Sequence, residues 1–177
     1  MLKKVVLIFS ILCIFSSMAF AEVKGKWFHP KFIRVYIQPD HYKGRLMTLA
    51  FREWSKLTQN KLIFQKVTSP KFADIEVEFV EKIDTTQSNT DRAIGLTRTS
   101  TQSGRKLVHA KIWIAQKTQD NRVLSEDEVY TTMLHEIGHS IGLNHSQDPE
   151  SVMFSGVNVV QEVSKEDLRL LKELYKW

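Results

Sequence analysis

The stretch HEIGHSIGLNH, residues 135–145, carries three histidines at fixed spacing. His135 and His139 are four residues apart, so on a helix they lie next to each other on the same surface. Gly142 comes just after the helical pattern ends and is placed to reverse the chain in a left-handed conformation. That turn would bring His145 back against the other two histidines. The spacing therefore predicts a site in which three imidazoles bind one metal ion.

The chemistry of three imidazoles favours a catalytic zinc ion. Neutral imidazole nitrogens bind Zn²⁺ at about 2.0–2.1 Å, and three protein ligands leave a fourth position open for water. Glu136 directly follows His135, and we expect its carboxylate to point into the same cleft and to take a proton from that water. A bare HExxH segment also occurs on helices that bind no metal, but Gly142 and His145 at fixed spacing make the pattern much more specific. We expect one zinc ion per chain.

The motif lies on a predicted helix that begins at Ser125. Ser125 and Glu128 have the spacing of a capping box, in which the hydroxyl accepts from the backbone N–H of residue 128 and the carboxylate reaches back. Four apolar residues then recur at four-residue intervals, and this stripe is expected to face the core. They are Val129, Met133, Ile137 and Ile141.

The rest of the chain contains periodic segments and no repeat, low-complexity tract or linker. Apolar residues alternate with polar ones, or recur at helical spacing, over most of its length. We expect four tryptophan or histidine side chains, Trp27, Trp54, Trp113 and His109, to be packed in the core. The predicted elements are strands at 32–38, 62–67, 74–80, 93–100 and 107–115, a helix at 42–58, and a last helix with Ser164 as its N-cap.

The first 21 residues have the pattern of a secretory signal peptide. Lys3 and Lys4 precede a nearly unbroken apolar stretch, and Ala19-Phe20-Ala21 resembles a cleavage site. We expect residues 1–21 to be removed and residues 22–177 to form one catalytic domain. The alternative is an uncleaved membrane anchor, because the apolar stretch is close to the length of about 20 residues that a span needs.

Composition excludes several classes of protein. The chain has 177 residues, of which 42% are hydrophobic and 25% charged, as in ordinary globular proteins. Cys13 is the only cysteine, so neither an internal disulfide nor a thiolate metal cluster can form. The net charge is +5, and Lys3 and Lys4 account for part of it. The remaining basic residues alternate with acidic ones, so we expect no nucleic-acid partner.

These motifs resemble those of the metzincin metalloproteases, and within that clan those of a matrixin (matrix metalloproteinase-like) catalytic domain. The resemblance is carried by residues 135–145, by Ser146 after the third histidine, and by Met153 eight positions after His145. Met153 has the place of the methionine turn that underlies the metal in this clan. Residues 163–175 resemble the closing helix of matrixins, and weaker similarity extends upstream through residues 50–55 and 73–75.

The resemblance implies an α/β fold of the α+β zincin type. Its parts would be a twisted, mostly parallel five-stranded sheet, the active-site helix and a C-terminal helix. The implied function is a secreted zinc-dependent endopeptidase, extracellular or periplasmic, that acts on a protein or peptide substrate. We expect it to be a monomer and to have no membrane contact after signal cleavage. The segment Ile94, Gly95, Leu96 and Thr97 is the candidate edge strand that pairs with an extended substrate.

Two other functions stay open at this point. One is a secreted zinc-binding or adhesive module with little or no turnover, and the presence of Glu136 argues against it. The other is a membrane-anchored interaction protein, which requires that the apolar leader remain uncleaved.

The sequence also departs from the matrixin pattern. Phe154-Ser155-Gly156 follows Met153 where matrixins usually have a proline, and Ser155 stands where other metzincin branches have a metal-binding tyrosine. The His and Asp cluster that binds a second, structural zinc in vertebrate matrixins is not found, and no calcium loop is recognisable. The inhibitory cysteine of matrixin prodomains has no counterpart after Cys13, so we expect the chain from Glu22 to be active once it folds with zinc.

Overall fold

The computed structural model describes residues 25–40, 42–84, 86, 93–156 and 162–177. The predicted signal peptide, residues 1–21, lies outside them. The order of elements agrees with the sequence prediction, and the predicted boundaries are within two residues of those observed. The strands are β1 (Ile33–Ile37), β2 (Phe64–Val67), β3 (Ile75–Val80), β4 (Gly95–Gln102) and β5 (Lys106–Ala115). The helices are α1 (Lys43–Leu57), α2 (Glu126–Ser140) and α3 (Lys165–Tyr175).

The five strands form one sheet in the order β2-β1-β3-β5-β4. Strands β2, β1, β3 and β5 run parallel, with Val35 opposite Ile75 and Val77 opposite Ile112. Strand β4 is antiparallel to β5 and lies at the edge of the sheet. The mostly parallel five-stranded sheet predicted from the sequence is therefore confirmed.

The two faces of the sheet follow from the alternation within β3. Ile75, Val77 and Phe79 are buried, whereas Glu76 and Glu78 are on the opposite face. Helices α1 and α2 pack against each other on the buried side, where the Trp54 indole donates to the Leu134 carbonyl oxygen at 3.1 Å. The apolar stripe of α2 is buried, as its spacing predicted, and α1 buries Leu46, Met47, Ala50, Phe51 and Trp54.

The opposite face of the sheet carries charges and corrects two of our core predictions. Trp27 and Trp54 are buried, but Trp113 is only partly buried, and its indole donates to Glu78 at 3.0 Å. His109 is also on this face, where its Nε2 lies 3.1 Å from the Glu76 carboxylate. Their neighbours in β5, Ala110 and Ile112, point inward, so the pleat places residues 109 and 113 on the outside.

The N-terminal segment, residues 25–27, is hydrogen-bonded to the end of α2 and to α3. The Trp27 indole donates to the Ser140 carbonyl at 2.9 Å. The Tyr175 hydroxyl accepts from the backbone N–H of Trp27 at 3.2 Å and donates to the Ile141 carbonyl at 3.1 Å. Burial raises the pKa of Tyr175, so this hydroxyl keeps its proton and remains a donor. These contacts hold the chain where α2 ends, directly before the turn to the third histidine.

Among the described residues, no helix combines the length and the apolar character that crossing a membrane requires.

Candidate metal centre

The helix that carries the motif is fixed at its first turn. The Ser125 hydroxyl accepts from the Glu128 N–H at 3.3 Å, and the Ser125 N–H donates to the Glu128 carboxylate at 2.8 Å. The predicted capping box is therefore confirmed. Arg122 donates two hydrogen bonds to the same carboxylate, at 2.9 and 2.8 Å. Arg122, followed by the Ser125 backbone, lowers the pKa of Glu128 to about 2, so the carboxylate stays charged.

Two of the histidine rings are oriented by backbone carbonyls. His135 Nδ1 lies 2.7 Å from the Val152 carbonyl oxygen, and His139 Nδ1 lies 2.9 Å from the Leu143 carbonyl oxygen. A carbonyl can only accept, so each Nδ1 must carry the proton. The lone pair of each neutral ring is then on Nε2, the atom available to a metal. A second hydrogen bond of this kind is typical of histidines that bind zinc.

The third histidine is returned to the helix by the turn at Gly142. Gly142 has φ +103°, and the Leu143 N–H donates to the Gly138 carbonyl at 2.9 Å as the chain reverses. The turn brings His145 Nε2 to 3.1 Å from His139 Nε2. The centroids of the three imidazole rings are 4.6 to 5.2 Å apart. The structure thus brings together the three histidines predicted from their spacing.

The donor set fits zinc. The ligand atoms of His135, His139 and His145 all lie within 4.8 Å of one another. Nitrogen atoms that share a tetrahedral zinc at about 2.0–2.1 Å are about 3.3 Å apart. This distance is close to the 3.1 Å between the Nε2 atoms of His139 and His145. The three histidines differ in solvent exposure, with His139 buried, His135 half-buried and His145 exposed. The site is therefore accessible from solvent on the His145 side.

Met153 packs beneath the helix at the level of the two helical histidines. The side chain is fully buried, and a Cβ added to Gly138 would lie 2.2 Å from the Met153 sulfur. Because Gly138 has no side chain, the methionine can lie directly against the backbone of α2. The Ser146 N–H donates to the Met153 carbonyl at 2.7 Å and closes the loop between the third histidine and this turn. Met153 is the residue at which the sequence predicts the methionine turn, and its side chain lies against α2.

Asp167 connects α3 to this turn. Its carboxylate is fully buried and accepts from the Ser151 hydroxyl, from the Val152 N–H at 3.0 Å and from the Ser164 N–H at 2.9 Å. Ser164 is the N-cap of α3, as predicted, and completes a capping box with Asp167. The carboxylate also lies in the first turn of the helix, where the helix dipole favours negative charge. Glu166, the neighbouring acid, is on the surface and pairs with Arg169 instead.

Glu136 is buried between α2 and the edge strand. The Thr97 hydroxyl lies 2.6 Å from Glu136 Oε2 and 3.0 Å from the Glu136 carbonyl oxygen. A Cβ added to Gly95 would lie 2.5 Å from Glu136 Oε1, so strand and helix are in close contact here. The predicted edge segment 94–97 thus lies at the start of β4, against the helix that carries the motif.

Sequence reasoning missed the groups that orient the site. The carbonyls of Val152 and Leu143 leave no trace in the sequence, because every residue has a carbonyl. The contact of Thr97 with Glu136 does have a signal in the sequence. Gly95 and Thr97 are two residues apart, so they share the face of β4 that the pleat turns toward α2.

The fold and the site together define a candidate metal centre of the type with two ligands on one helix and the third after a glycine turn. The family model described as Matrixin matches residues 36–176, and the chain belongs to the matrixin family of zinc metalloendopeptidases. It is similar to the probable matrix metalloproteinase 095L of Invertebrate iridescent virus 3, with 28% identity over 133 residues. It is also similar to the metalloendoproteinase 5-MMP of Arabidopsis thaliana, with 26% identity over 141 residues. A third relative is the macrophage metalloelastase of Oryctolagus cuniculus, with 28% identity over 136 residues.

These similarities cover most of the chain but a minor part of each relative. The matched regions are 71%, 74% and 71% of this chain, and 35%, 39% and 27% of the respective relatives. The chain therefore matches less than half of the length of each of these proteins.

Proposed function

We propose that this chain is a secreted zinc-dependent endopeptidase. The observation that carries the proposal is the convergence of three imidazoles, His135, His139 and His145, within 4.8 Å of one another. Two of these rings are fixed by backbone carbonyls so that Nε2 is the available atom. The buried Glu136 directly follows the first of them in the helix.

The three histidines would hold the zinc ion, and Glu136 would move the proton. When bound, zinc supplies a Lewis acid that lowers the pKa of water from 15.7 toward about 7 and stabilises negative charge on the peptide oxygen. The Glu136 carboxylate takes a proton from the attacking water and then delivers it to the leaving nitrogen. Because the side chain is buried and in contact with Thr97, it has little freedom to leave this position.

The substrate would lie as an extended strand along the start of β4, at residues 94–97. In the part of the chain that the structure describes, β4 has a neighbouring strand on one side only, β5. An extended peptide can therefore add to the other edge through backbone hydrogen bonds. Gly95 and Thr97 of this edge lie against Glu136, and Ile94 and Leu96 are their neighbours in sequence. This arrangement favours protein or peptide substrates in an extended conformation.

The test of the function is cleavage of a peptide library by the purified protein. We expect about one zinc per chain by elemental analysis, loss of cleavage with a chelator and recovery when zinc is added back. His135→Ala, His139→Ala and His145→Ala should each lose most of the zinc.

Glu136→Ala separates metal binding from catalysis. It should keep zinc and fold but lose at least about 100-fold in kcat, because it removes the base and no ligand. Glu150→Ala, which removes an exposed carboxylate near the methionine turn, is the control and should cleave normally. A protein that binds zinc and cleaves no peptide would instead be a zinc-binding or adhesive module. A folded protein that cannot be loaded with zinc would contradict both functions.

The export part of the proposal rests on residues 1–21, with residues 22–177 as the exported catalytic domain. N-terminal sequencing of the exported protein should give a chain that begins at Glu22. A chain that retains Met1 and partitions with membranes would support the uncleaved anchor instead.

A further inference from the structure

We infer that Thr97 is a positioning residue for the general base. This inference rests on the proposed function. It gives Thr97 a second role beside that of an edge-strand residue, because its hydroxyl would hold the Glu136 carboxylate in place. The Thr97 hydroxyl is 2.6 Å from Glu136 Oε2, a distance typical of a hydroxyl that donates to a charged oxygen. The Glu136 carbonyl, at 3.0 Å, is the more distant acceptor, so the hydroxyl proton points to the carboxylate.

Gly95 limits the carboxylate from the same strand. A Cβ at this position would lie 2.5 Å from Glu136 Oε1 and 2.6 Å from the methyl group of Thr132. The carboxylate therefore lies over β4, with Oε1 against the Gly95 backbone and Oε2 against the Thr97 hydroxyl. Strand β4 in turn is held by its pairing with β5, where Gly95 is opposite Ile114 and Thr97 is opposite Ile112. The sheet thus fixes the orientation of a side chain whose backbone belongs to α2.

The pleat explains why Thr97 and not its neighbours can act in this way. Ile112 and Ile114 are fully buried on the helix side of the sheet, so Gly95 and Thr97, which are opposite them, also face the helices. Thr99 is on the same face but two residues farther along, opposite Ala110. It offers a control in which the same substitution is made on the same face of the same strand.

The experiment compares Thr97→Val, Thr97→Ser and Thr99→Val in the full protein loaded with zinc. Thr97→Val keeps the shape of the side chain and removes the hydroxyl. We expect kcat to fall by about 10- to 100-fold, because misplacement of a base by about 1 Å costs up to this factor. KM should change less than about twofold, and zinc content should remain at one per chain, because no ligand is altered. Thr97→Ser keeps the hydroxyl and should retain more than half of the wild-type kcat, as should Thr99→Val.

A thermal measurement tests the contact without using activity. Thr97→Val should lower the Tm of the wild-type protein by a few degrees, and by less than half of that amount in the Glu136→Ala background, where the hydroxyl has lost its acceptor. This coupling remains measurable if the protein cleaves no peptide, so failure of the proposed function would not hide the result. Wild-type kcat in Thr97→Val, an equal loss of kcat in Thr97→Ser, or an equal Tm decrease in both backgrounds would overturn the inference.

Discussion

The carboxylate of Asp167 accepts a hydrogen bond from the backbone N–H of Val152 at 3.0 Å. The carbonyl of the same residue, Val152, accepts from His135 Nδ1 at 2.7 Å. A single residue of the methionine turn therefore connects α3 to the first predicted zinc ligand. Asp167 is fully buried on α3, and His135 lies on α2. The two hydrogen bonds of Val152 therefore hold the methionine turn between these two helices.

The first prediction concerns Asp167→Asn. The substitution replaces one acceptor oxygen by an NH₂ group that faces N–H and O–H donors in the core. We expect the free energy of unfolding to fall by about 2–4 kcal/mol in denaturant titrations, because buried donors lose a charged acceptor. Zinc affinity should fall as well, since Val152 would no longer hold the His135 ring in place.

Glu166→Gln is the matched control for Asp167→Asn. Glu166 is adjacent in sequence but pairs with Arg169 on the surface, so its substitution should change the free energy of unfolding far less than Asp167→Asn does. Equal effects of the two substitutions would show that Asp167 acts only as a helix-capping acid.

The second prediction concerns Gly142→Ala. Gly142 has φ +103°, and a Cβ there would lie 2.3 Å from the Gly25 carbonyl oxygen and 2.9 Å from the Leu174 side chain. We expect a loss of at least about 3 kcal/mol in the free energy of unfolding, from backbone strain together with the clash. Zinc affinity, measured by competition with a chelator, should also fall, because His145 follows this turn.

Gly104→Ala measures the backbone strain alone. Gly104 also has a positive φ, +78°, but a Cβ there meets nothing within 4 Å. We expect a loss of about 1 kcal/mol and unchanged zinc affinity. If both glycine variants lose the same stability, the contact with the N-terminal segment does not constrain the turn.

The third prediction concerns the pH dependence of Glu128. The pKa of its carboxyl is about 2 in the folded protein, below its ordinary value of 4.5, so the folded state favours the charged form. Its contribution to stability is therefore complete above pH 4.5 and is lost as the pH falls toward 2. Glu128→Gln should be about 1–2 kcal/mol less stable than wild type at pH 6, and this difference should disappear near pH 2.

The measurement for Glu128 is the difference in stability between variant and wild type at each pH. Release of zinc at low pH lowers the stability of both proteins, so its effect cancels in the difference between variant and wild type. Arg122→Gln keeps the capping box and removes the guanidinium, and it should reproduce part of the loss over the same pH range. A difference that does not change between pH 6 and pH 2 would contradict the assignment.

Sequence alone determined the features that depend on local spacing. His135 and His139 are neighbours in any α-helix, because four residues make about one turn. The capping box at Ser125 and the N-cap at Ser164 depend on groups at most three residues apart, and both formed as predicted. Alternation and helical spacing gave the order of the elements for the same reason. Such patterns are decided within one turn of a helix or along one strand.

Tertiary structure alone decided which groups meet across elements. It separated Glu166 from Asp167, two adjacent acids in the first turn of α3, by turning only Asp167 toward the methionine turn. It also placed His109 and Trp113 on the charged face of the sheet rather than in the core. Likewise, the contact between Thr97 and Glu136 joins residues 39 positions apart. Contacts of this kind depend on strand register and on how helices pack against the sheet, and neither is set by the spacing of residues within one element.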